Sequence, residues 1–63
     1  MNLPTKLTYE VSAIKAEHMF RAWCEQPNDI TMSFRQKNDG MVFVSMQAPH
    51  LSPMFSKLIL MTV

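Results

Sequence analysis

One glycine constrains this chain more than any other residue. Gly40 is the only glycine present, and it ends the stretch Asn38-Asp39-Gly40 between two runs that alternate apolar and polar residues. On the first run Ile30, Met32 and Phe34 fall on one side, with Thr31, Ser33, Arg35 and Lys37 on the other. On the second, Val42, Val44, Met46 and Ala48 share a side, and Met41, Phe43, Ser45 and Gln47 share the opposite one. Two period-two runs joined by a short glycine-bearing turn are the signature of a β-hairpin, here within Asp29 to Ala48.

The hairpin register follows from which residues must share a face. Residues directly opposite on antiparallel strands point to the same side. A two-residue loop, Asn38-Asp39 or Asp39-Gly40, sets Phe34 against Phe43 or Ser45 and leaves the valines beside Arg35 and Lys37. A three-residue loop pairs Phe34 with Val44, Met32 with Met46 and Ile30 with Ala48, which unites the apolar residues. A slip of one residue turns a whole strand over, so the apolar match decides. The sequence therefore predicts a three-residue loop, a type I turn closed by Gly40 at positive φ.

The remaining elements pack on this hairpin or extend it. Leu7, Tyr9, Val11 and Ala13 alternate with polar residues, as in a strand with one wet face. The period then changes, and Ala16, Met19, Phe20, Trp23 and Cys24 recur at helical spacing. Ser12 suits the N-cap of this helix, and Pro27 stops it near Gln26. Phe20 and Trp23 are expected to cover the sheet, with Trp23 largely buried. Pro27-Asn28-Asp29 turns the chain into the hairpin. Beyond it, Ser52 and Pro53 read as N-cap and first helical residue, and Leu51, Met54, Phe55, Leu58 and Met61 keep helical spacing. Lys57 to Val63 could equally form a buried strand, because short apolar runs are ambiguous by period. A helix from Pro53 to about Leu60 is the favoured assignment. The fold class is thus α+β: strand, helix, strand, strand, then an apolar C-terminal segment, in a single domain over residues 1–63.

Size and composition narrow the function classes. A chain of 63 residues holds a small core, and its one cysteine, Cys24, cannot form an internal disulfide. A lone thiol fits a reducing cytoplasmic setting. Net charge is +1, which gives no electrostatic case for a polyanionic partner. No signal peptide is legible in Met1 to Lys6, and the run Leu58 to Met61 is too short to span a bilayer. His18 and Cys24 lie six apart, on opposite sides of a helix, where chelation needs spacings of three or four. The acids Glu10, Glu17, Glu25, Asp29 and Asp39 are scattered over a strand, a helix and turns. Neither a catalytic residue, a metal ligand nor a cofactor is expected.

Two binding surfaces remain. The apolar tail exceeds what so small a sheet hides easily, so Leu51, Met54, Phe55, Leu58 and Met61 are the expected interface with another protein or a second copy. That points to a non-enzymatic interaction module: a small adaptor, regulator or inhibitor that docks on a larger protein, or a homodimer. The alternative is a weak binder of single-stranded nucleic acid. On the wet face Arg35 falls across from Phe43, and Lys37 from Met41, placing cations beside an aromatic ring that a base could stack on. The segment Asp39 to Met46 resembles in part the ribonucleoprotein consensus of RNA-recognition motifs. It keeps Gly40, Phe43 and Val44, while Asp39, Met41 and Met46 stand where that pattern has a basic residue and aromatics. The resemblance covers eight residues, and the order strand, helix, strand, strand, helix matches that fold as well.

Overall fold

The computed structural model describes residues 5–63; Met1 to Pro4, most of the stretch read above for a signal peptide, lie outside them. The elements follow the expected order: β1 (Thr5–Ser12), α1 (Ala13–Cys24), β2 (Thr31–Asn38), β3 (Met41–Ala48) and α2 (Pro53–Met61). The three strands form one antiparallel sheet in the order β1-β3-β2. β3 is therefore central, and β1 and β2 run parallel to each other on its two sides. α1 makes the crossover between them.

The face assignments hold across the sheet. Leu7 lies opposite Met46, Tyr9 opposite Val44 and Val11 opposite Val42, while Met32 and Phe34 flank Met46 and Val44 from the other side. One face is thus apolar, and Val42, Val44, Met46 and Ala48 of the central strand are all buried. The opposite face carries Lys6, Thr8, Glu10, Arg35, Phe43 and Ser45.

The turn reaches the expected register by another route. Asn38 pairs with Met41, so the loop is the two residues Asp39-Gly40, and the strands slip by one residue between Gln36 and Asn38. Lys37 is the extra residue of a β-bulge, not the partner of Met41 as the sequence suggested. From Gln36 inward the bulge restores the pairing of Phe34 with Val44. Gly40 has φ +85° and no other described residue has positive φ. A negative φ at Asp39 followed by a positive one at Gly40 is the sign pattern of a type II turn, not of type I′ or II′.

α1 starts where Ser12 Oγ accepts a hydrogen bond from the Lys15 amide at 3.1 Å. Ala13, expected at the end of the strand, is instead the first helical residue and is exposed. The helix ends two residues before Gln26. There Asn28 Nδ2 donates to the carbonyls of Trp23 (3.0 Å) and Gln26 (2.9 Å), and Asn28 Oδ1 accepts from the Ile30 amide (3.0 Å). One asparagine side chain thus satisfies the helix end and bends the chain into β2.

The buried stripe of α1 is rotated from the expected one. Ala16, Met19 and Ala22 are buried, whereas Cys24 is exposed, Phe20 is 46% exposed and Trp23 is only half-buried. The cause is the second helix. α1 packs against α2 as well as β1 and β3, and the alanines at two of its three buried positions leave room for that neighbour. α2 is a helix, with Ser52 Oγ accepting from the Phe55 amide at 3.2 Å and Pro53 in the first turn. Phe55 and Leu58 are fully buried in the same core as Met19, Val44 and Met46. Each such side chain stabilises the fold by about 1.5–3 kcal/mol relative to exposure.

Candidate functional site

The chemistry-bearing residues of the open face do come together. Arg35 lies opposite Phe43 on one side of β3, and Glu10 lies opposite it on the other. Lys37 Nζ stands 5.7 Å from the centre of the Phe43 ring, within cation–π range. The bulge that removes Lys37 from the ladder is compatible with this placement. Lys37 Nζ also donates to Glu10 Oε1. Both partners of this pair are about two-fifths exposed, so it adds little to stability, about 0–1 kcal/mol. Arg35, Lys37 and Phe43 are therefore neighbours, as expected, but a carboxylate that the sequence reading left out sits among them. Its presence is legible once β1 is known to pair with β3.

The tail residues separate into two sets. Phe55 and Leu58 face inward and are inaccessible to a partner while the monomer is folded; Met54 and Met61 are partly buried against the same core. Leu51 is 62% exposed. The apolar residues that α2 and its ends leave to solvent are Leu51, Leu60 and Val63, two of which lay outside the expected set. The inner face of the sheet accommodates more of the tail than its size suggested, because α1 yields the flank on which α2 rests.

A third surface is visible only in the tertiary structure. Since β3 is central, β1 is an edge strand, and its eight residues pair with β3 without interruption. The Ala13 amide donates to the Gly40 carbonyl at 2.8 Å, continuing the β1–β3 ladder by one position. Amides of alternate residues in a strand point the same way, so Val11, Tyr9 and Leu7 also direct theirs toward β3. Lys6, Thr8 and Glu10 consequently direct N–H and C=O outward. The close approach of Thr8 Oγ1 to Ser45 Oγ, 3.1 Å, agrees with this, because side chains lie nearest in pairs that do not exchange backbone hydrogen bonds.

The other candidates stay dispersed. His18 and Cys24 are both exposed on α1, and His50 Nε2 lies 3.8 Å from Asp29 Oδ2 at the surface. Among the described residues no group of three or more histidines, cysteines or carboxylates could hold a metal ion, and no helix is long and apolar enough to cross a membrane. Shallow hollows lie beside Trp23 and Pro27, and between Phe20 and Phe34. Compared with models of protein families, with curated proteins and with solved structures, the chain matches none.

Proposed function

We propose that this chain is a non-enzymatic protein–protein interaction module, a small adaptor, regulator or inhibitor of the cytoplasm, whose contact surface is the outer edge of β1. The observation that carries this is the outward set of backbone groups on Lys6, Thr8 and Glu10, along a strand with no bulge. An edge strand that pairs this regularly accepts a further strand through main-chain hydrogen bonds, with alternate side chains adding selectivity. Leu51, Leu60 and Val63 are exposed apolar residues that a partner could cover in addition.

Thr8→Pro tests the proposal, because proline deletes an outward N–H and leaves the bonds to β3 in place. A protein partner captured by the wild-type chain, or self-association of that chain, is expected to be lost in this variant while circular dichroism stays native. Binding that survives Thr8→Pro would remove the edge from the interface.

A second reading has one observation in its favour: Arg35 and Lys37 both flank the half-exposed Phe43 on the open face. That arrangement suits weak binding of single-stranded nucleic acid. Glu10 opposes it by engaging Lys37. Binding through phosphates would fall steeply with salt, whereas strand addition at an edge, held mainly by main-chain hydrogen bonds, would fall far less.

A further inference from the structure

We infer that the occupant of the β1 edge is a second copy of the chain, paired β1 to β1 about a two-fold axis through Thr8. This rests on the edge being the interaction surface and adds what binds there. The two three-stranded sheets would join into one continuous sheet of six strands.

Parity, charge and side-chain class each select this register. Outward-facing backbone groups belong to the even-numbered residues, so hydrogen-bonded pairs across the axis must join even to even. Centred on Thr8, the register joins Thr8 to Thr8 and Lys6 to Glu10 in both directions. Each of these pairs exchanges two backbone hydrogen bonds. Lys6 and Glu10 lie on the same open face, so the register sets opposite charges directly across from each other twice. Other even registers lose this match: some set Lys6 against Lys6 or Glu10 against Glu10, and the rest set the charges against uncharged residues. On the inner face the same register places Leu7 against Tyr9 of the second copy. Both are only half-buried in the monomer, and pairing would cover their exposed flanks.

The existing Glu10 contact is compatible with the dimer. Lys37 binds Oε1 of Glu10, and the carboxylate has a second oxygen, Oε2, for Lys6 of the other copy. Isologous pairing also closes on itself, so the edge is consumed in the dimer and not passed on to a fibre.

Sedimentation velocity over a concentration series, with two charge reversals, tests the inference. The wild-type chain is expected to shift from monomer to dimer as concentration rises. Lys6→Glu alone and Glu10→Lys alone should each stay monomeric, since each sets like charges against each other at both contacts. An equimolar mixture of the two variants should form a heterodimer, because each then meets the opposite charge twice. The double variant should regain the homodimer. Self-pairing is overturned if the wild type is monomeric throughout, if the single reversals dimerise as it does, or if the mixture fails to associate. A monomeric wild type that still captures a partner in a manner abolished by Thr8→Pro would overturn the self-pairing while leaving the edge as the interaction surface.

Discussion

The two edges of the sheet are built differently. β2 carries a bulge at Lys37, and its residues are exposed except for the half-buried Met32. Its inner face is roofed by Phe20, whose ring meets Phe34 edge-on at 5.9 Å and Trp23 at 6.0 Å. β1 has no bulge and pairs with β3 over all eight residues. Bulges and charges are the usual devices that keep an edge from recruiting another strand. β2 has a bulge and two cations of one sign, Arg35 and Lys37. β1 has one lysine and one glutamate placed so that a second β1 cancels both. An edge left regular in so small a sheet, beside one that is interrupted, is the difference that directs a partner to β1.

The largest expected effect concerns whether the β1 edge or the tail is the place to look for that partner. Phe55 is fully buried beside Leu58 in the monomer core. Phe55→Ala is expected to cost about 3–5 kcal/mol, which rivals the whole stability of a domain this small. Chemical denaturation at several protein concentrations measures it. A variant that stays folded but loses self-association would move the interface to α2 and break the contrast between the edges.

Next is Gly40, which sets the turn that leads into the bulge. At φ +85° a β-branched residue is strained, although the space around a new Cβ is open. Gly40→Val should therefore destabilise by about 1–2 kcal/mol through the backbone alone, and Asp39→Ala far less. Thermal melts of the two variants decide this. Equal melting of Gly40→Val and wild type would mean that the turn does not hold the bulge in place.

How much of this contrast the sequence carries depends on the range of the interactions involved. The pairing of Phe34 with Val44 is legible because period-two alternation forces apolar residues together, whatever device achieves it. The device itself is not, since Asn38-Asp39-Gly40 is compatible with a three-residue loop or with a two-residue turn plus a bulge. The caps at Ser12 and Ser52 are local and appear as expected. The stripe on α1 is not local: Ala22 is buried and Cys24 exposed because α2 lies along that flank, a tertiary fact absent from the period of α1 alone. The same fact explains why the tail, read as surplus, fits the core. That β1 is an edge depends on β3 taking the middle position, and element order alone does not say so.

The roof over β2 should respond more mildly than the turn. Trp23 is half-buried, and its Nε1 donates to the Ile30 carbonyl at 2.8 Å. Trp23→Phe keeps most of the apolar contact but leaves that part-buried carbonyl without its donor, at a cost of about 1 kcal/mol. Urea titration would show it. A cost of several kcal/mol would mean that Trp23 is a core residue and that β2 is better covered than its exposure indicates.

The smallest expected effect falls on the link between the two edges. Glu10 of β1 and Lys37 of β2 meet across the central strand, above Phe43. Both are partly solvated, so a double-mutant cycle with Glu10→Gln and Lys37→Met should give a coupling of about 0.2–1 kcal/mol that shrinks with added salt. The singles separate the two roles of Glu10. Lys37→Met removes contacts within the monomer alone, the bond to Glu10 and the cation over Phe43, and leaves both carboxylate oxygens free for Lys6 of a second copy. Self-association should then be unchanged or slightly tighter, while the monomer melts marginally earlier. Glu10→Gln removes both contacts and should weaken the dimer as well. If Lys37→Met weakens association as much as Glu10→Gln does, the open face around Phe43 takes part in the interface and the two edges are not independent surfaces.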